Sequence, residues 1–118
     1  MTLNILGTDY SVEIKKYNDD EAFDRNSFSG YCDGYAKKIV CCDMNTYKGW
    51  ENEEQQTIDA TQKMTLRHEI VHAFFFESGL MDNSNTYEGA WSKNEELVDW
   101  IALQGGKIYK AWQLAGAI

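Results

Sequence analysis

The sequence predicts an α+β domain in which a small, mostly antiparallel sheet packs on two helices. Three patterns carry that expectation. The first third alternates apolar and polar residues, Glu53 to Ser78 repeats apolar residues at steps of three and four, and a second helical run follows Ser92. With 118 residues, 43% of them apolar and 14% aromatic, the chain can bury one core without disulfides, so a single domain over 1–118 is expected.

Each element has a local reason. The stretch "LNILGTDYSVEIKKY" alternates around a Gly7-Thr8-Asp9 turn, and "GYCDGYAKKIVCCD" offers two β-prone runs joined near Asp33 to Lys38. Two hairpins follow. Between them "NDDEAFDRNSF" is polar, with Phe23 and Phe28 as anchors, and suits a loop or a short helix. The longest helix is expected from about Glu53 to Ser78, where Leu66, Ile70, Ala73 and Phe74 share a face and Gly79 stands as a C-terminal stop. "MDNSNTYEGAWSK" reads as a polar loop, after which Ser92 or Asn94 caps a helix through "EELVDWIALQ". Gly105-Gly106 is expected to break or kink that helix. Beyond it "KIYKAWQLAGAI", with Ile108, Trp112 and Ala115 on one face, is expected to pack as a short C-terminal helix.

Charge narrows the function classes. Nineteen acidic against eleven basic residues give a net charge of −8, which repels phosphate backbones and anionic lipid, so neither nucleic acid nor membrane is an expected partner. "MTLNILGTDYSVEIKK" lacks the charged leader and apolar core of an export signal, and no window approaches 18 uninterrupted apolar residues; a cytoplasmic protein is expected. Cys32, Cys41 and Cys42 are an odd set without CxxC spacing and read as small reduced strand residues.

Chemistry concentrates in "LRHEIVHAFFFESGL", which holds both histidines of the chain. Four residues make about one helical turn, so His68 and His72 can direct their imidazoles at one point, with Glu69 beside it. Two neutral imidazoles can hold zinc, which lowers the pKa of its bound water to about 7, and a neighbouring carboxylate can take the proton as that water attacks a carbonyl. Catalytic zinc usually takes three protein ligands, and neither a histidine nor a cysteine remains downstream. The carboxylates available are Glu77, Asp82, Glu88, Glu95, Glu96 and Asp99. Glu77 lies five residues beyond His72, off the ligand face, and Asp82 and Glu88 fall in the polar loop. Glu95 and Asp99 are again one turn apart on a helix, so that one can bind the metal and the other orient a ligand imidazole.

HExxH followed by "NEELVD" resembles the gluzincin metallopeptidases. The short span of 23 positions from His72 to Glu95, with "ELVDWIA" after it, resembles the small ImmA/IrrE-like metallopeptidases, including prophage-encoded proteins, over roughly Met64 to Gln104. The resemblance implies zinc held by His68, His72 and Glu95, Glu69 as general base, and Asp99 as the carboxylate that orients a ligand imidazole. Its register favours Glu95 over Glu96. It further implies an endopeptidase acting on a protein substrate, with a transcriptional repressor as the family's substrate type. Tyr87, Tyr109 and Arg67 are the available oxyanion donors, a role that contributes about 3 kcal/mol in comparable sites. The strand pair at "GYCDGYAKKIVCC" offers an edge for an extended peptide, although its Lys37-Lys38 pair equally suits protection of that edge. The alternative function is a zinc-stabilised interaction module with little turnover.

Overall fold

In a computed structural model, residues 1–82 and 90–118 are described. Strands β1 (Thr2–Ile5) and β2 (Thr8–Lys15) form the first hairpin, and β3 (Gly30–Asp33) and β4 (Lys38–Cys42) form the second. Both hairpins are antiparallel, but β4 lies parallel to β2, giving the mixed order β1-β2-β4-β3. The α+β class and the mostly antiparallel sheet both hold.

The first turn is Leu6-Gly7 rather than the expected Gly7-Thr8-Asp9. Leu6 and Gly7 both have positive φ, at 51° and 92°, which is the twist a two-residue hairpin turn requires. Asn4 supports it by accepting from the Gly7 amide.

Central strand β4 shows why "KIVCC" carries no alternation. Ile39 and Cys41 join Tyr10, Val12 and Ala73 on one face of the sheet, while Val40 and Cys42 join Phe23, Met44 and Ile58 on the other. A strand covered on both sides reads as a continuous apolar run. The segment left open between the hairpins contains a 3₁₀ turn and helix α1 (Glu21–Arg25), which Asp20 caps by accepting from the Ala22 amide. Phe23 anchors it in the core, whereas Phe28 is exposed.

Helix α2 (Gln55–Glu77) is within two residues of its expected bounds at the start and one at the end, and Gly79, at φ 80°, follows as the left-handed stop. Its last residue, Glu77, accepts hydrogen bonds from the Thr8 and Tyr10 hydroxyls and from the Lys37 ammonium. One carboxylate thus fastens the helix end to both hairpins.

Helix α3 (Glu95–Leu114) runs antiparallel along α2, buries Val98 and Ala102, and receives the Arg67 guanidinium at the Ala102 carbonyl. Asn94, one of the two expected caps, accepts from the Leu97 amide. The expected break at Gly105-Gly106 does not occur, because α3 continues through both glycines to Leu114. Two interior glycines cost about 1 kcal/mol each relative to alanine, too little to stop a helix already propagating. The expected packing of the C-terminal segment also fails, since residues 109–118 are all exposed. No helix among the described residues is long and apolar enough to cross a membrane.

Two outcomes follow for stability. Nothing lies within 4 Å of a Cβ built on Gly106, so Gly106→Ala should raise unfolding stability by about 1 kcal/mol in a urea titration. The Lys37 and Tyr10 hydrogen bonds hold the Glu77 carboxyl below its ordinary 4.5, so its stabilisation is present above that value and is lost as pH falls through the folded one. Glu77→Gln should therefore lower Tm at pH 7, with a gap from wild type that narrows as pH falls below 4.5; a gap that does not change with pH would refute this role.

Candidate metal centre

The site forms where the middle of α2 meets the first turn of α3. His68 and His72 project one turn apart from α2, with ring centroids 4.7 Å apart. Asn94 starts α3 so that Glu95 is its first residue and Asp99 stands one turn on. The structure brings these four residues together, with Glu69 next to them.

His68 Nδ1 lies 2.6 Å from Asp99 Oδ1. A carboxylate accepts, so Nδ1 carries the proton and His68 Nε2 is left with a free lone pair in the neutral ring. That Nε2 is 3.1 Å from His72 Nε2 and 3.0 Å from Glu95 Oε2, and the third side, His72 Nε2 to Glu95 Oε2, is 3.2 Å. Ligands about 2.0–2.1 Å from a tetrahedral ion stand about 3.3–3.4 Å from one another, so this triangle has nearly the size of one tetrahedral face. Three electron-rich atoms this close need a ring proton or a cation among them. Burial holds His72 below the ordinary imidazole range, against the opposing pull of Glu95, which keeps it neutral and fit to donate to a metal.

Glu69 is 6% exposed, and its nearer oxygen is 4.0 Å from His68 Nε2. Burial pushes its carboxyl up to about 7; the neighbouring His68 opposes that rise, and Glu95 and Asp99 add to it. His68, Glu69 and His72 offer atoms within 4.8 Å of one another, and this group could hold a metal ion.

These side chains line a cleft of about 700 Å³ together with β3, Phe28, Phe76 and Met81. β3 is an edge strand and comes very close to α2. A Cβ on Gly30 would stand 2.8 Å from Thr65 Cγ2 and 3.3 Å from Glu69 Cγ, so glycine there lets the edge approach the buried carboxylate. The strand pattern marked the edge, but nothing in the sequence paired Gly30 with Thr65 and Glu69.

The other expected participants lie elsewhere. Glu77 is engaged with the hairpins, Glu96 is exposed outside the cleft, and Arg67 is bound to the Ala102 carbonyl. Tyr109 is on the exposed part of α3, and Tyr87 and Glu88 fall outside the described residues, as does the side chain of Asp82. Tyr31 lines the cleft, but its hydroxyl donates to Asp20 Oδ2 at 2.6 Å. The three cysteines are free, and burial first, then Glu69, pushes the Cys32 and Cys41 thiols up to about 12, which leaves them protonated.

Asp99→Asn keeps a hydrogen-bond acceptor but removes its charge, and should weaken divalent-ion binding about 10–100-fold by isothermal titration. His72→Ala should reduce it further. Equal affinity in all three proteins would show that the ion binds elsewhere.

No family model, curated protein or solved structure matches this chain.

Proposed function

We propose that the chain is a zinc-dependent endopeptidase of the ImmA/IrrE-like kind, acting in the cytoplasm on a protein or peptide substrate. The observation that supports it best is the triangle of His68 Nε2, His72 Nε2 and Glu95 Oε2, with sides of 3.0–3.2 Å. Those three residues would hold the ion. A zinc ion there would supply Lewis acidity sufficient to bring the pKa of a water to about 7.

The remaining roles belong to the chain. Asp99 fixes the His68 tautomer through Nδ1, so that Nε2 faces the site. Glu69 stands behind the triangle at 4.0 Å, farther from His68 Nε2 than Glu95 is, which suits a base better than a ligand. Its raised proton affinity suits it to take a proton from a water attacking the scissile carbonyl and to return it to the leaving amine. An extended substrate would lie along β3, the cleft's edge strand, through main-chain hydrogen bonds. Family resemblance makes a transcriptional repressor the substrate type to try first.

A second reading, a zinc-stabilised interaction module with little turnover, is favoured by one observation. Tyr31, which lines the cleft, and Arg67, next to His68 in the chain, are both committed to other partners, Asp20 and the Ala102 carbonyl. Such a site would lack the side-chain donor that stabilises a developing oxyanion.

Glu69→Gln separates the two. An endopeptidase should lose at least about a hundredfold in peptide-cleavage rate while keeping stoichiometric zinc and its Tm. Wild-type protein that holds zinc but cleaves no peptide-library member would leave the module, and purified protein that takes up no zinc would sink both.

A further inference from the structure

Past Ala102 helix α3 leaves the body of the protein. Five of the thirteen exposed large apolar side chains among the described residues belong to α3 from Trp100 onward: Trp100, Leu103, Tyr109, Trp112 and Leu114. Exposed apolar residues scattered over a surface are ordinary; Trp100, Leu103 and Leu114 share one line along the helix. Glu96, Trp100, Leu103, Lys107, Lys110 and Leu114 recur at alternating steps of four and three, and all six are exposed. They form one stripe about 27 Å long, on the side of α3 turned away from buried Val98 and Ala102. A repeat averaging 3.5 residues, with Trp or Leu at three of its six positions and charges at the other three, has the spacing of a seam between paired helices in which charge sets the orientation.

The charges identify the partner. In α3 the acids Glu95, Glu96 and Asp99 all lie in the first five residues, and the bases Lys107 and Lys110 both lie in the second half. A parallel copy would set lysine beside lysine and glutamate beside glutamate. An antiparallel copy brings each basic half against the other's acidic start, so that Lys110 of one chain can reach Glu96 or the Trp100 ring of its partner. The helix dipoles are also opposed in that arrangement.

We infer that α3 is a self-pairing helix, through which two copies of this chain associate antiparallel along the stripe Glu96, Trp100, Leu103, Lys107, Lys110 and Leu114. The inference is independent of the metallopeptidase reading. The seam is isologous, each copy offering the same stripe.

Sedimentation equilibrium of the full chain, from micromolar to sub-millimolar concentration, tests it. A concentration-dependent dimer is expected. Lys110→Glu should raise its dissociation constant about tenfold, since the pair occurs twice across the two-fold axis, and adding Glu96→Lys should restore it. Trp112→Ser, which removes an exposed aromatic off the stripe, should leave the dimer intact, whereas Leu103→Ser should disrupt it. A monomer at every concentration overturns the inference. So does tighter association of Lys110→Glu, which would indicate parallel pairing, or equal damage from Trp112→Ser and Leu103→Ser, which would indicate unspecific apolar association. A monomer that co-sediments with phosphatidylserine vesicles would assign the stripe to a lipid surface instead.

Discussion

Two imidazole nitrogens and a carboxylate oxygen within 3.2 Å of one another constrain how α2 and α3 can meet. Lone pairs at that distance repel unless a ring proton or a cation lies among them, and neutral His72 has one ring proton to place on either nitrogen. The position of α3 along α2 follows from the same geometry. Asn94 must start the helix where it does for Glu95 to reach Nε2 and for Asp99, one turn later, to reach Nδ1 of His68. A one-residue shift in that start would turn both carboxylates about 100° around the helix and away from the site.

The sheet meets the same helix from the other side under a steric constraint. Glu77 fixes the end of α2 to Thr8, Tyr10 and Lys37, and Gly30 lets edge strand β3 approach Thr65 and Glu69 more closely than any side chain would allow. The burial that raises the proton affinity of Glu69 is therefore a product of sheet packing as much as of helix α2. The buried carboxyl of Glu69 and the two imidazoles lie within five residues of α2, yet owe their surroundings to different parts of the fold.

Much of this was legible in the sequence because it rests on local periodicity. The bounds of α2, the two hairpins, the Asn94 cap and the shared faces of His68 with His72 and of Glu95 with Asp99 all follow from spacing within one or two turns. What escaped depends on comparing distant or nearly balanced terms. The Leu6-Gly7 turn was obscured because Leu6 is a poor residue for positive φ, and sheet twist overrides that preference. The parallel β2-β4 pairing joins strands more than twenty residues apart, and nothing local encodes it. Gly105-Gly106 looked like a stop because glycine is a weak helix former, but its penalty is small beside continued backbone hydrogen bonding. The engagement of Tyr31 with Asp20 and of Arg67 with Ala102, which removes both from the site, is likewise a tertiary fact.

Helix α2 packs against the sheet and against α3, which itself packs on α2 and on the short turn before it. The protein is thus layered in series, with α2 as the shared middle. Loss of α3 would uncover Val98, Ala102 and the outer side of α2 but leave both sheet clusters built on Ile39 and Val40 in place. Amide exchange in a protein so arranged has two tiers: α3 opens at a lower free energy as an outer cooperative unit, and β4 with the sheet-facing side of α2 exchanges only through global unfolding. One corner of the triangle, Glu95, belongs to the outer tier and both imidazoles to the inner one, so an ion bound there would couple the stabilities of the two.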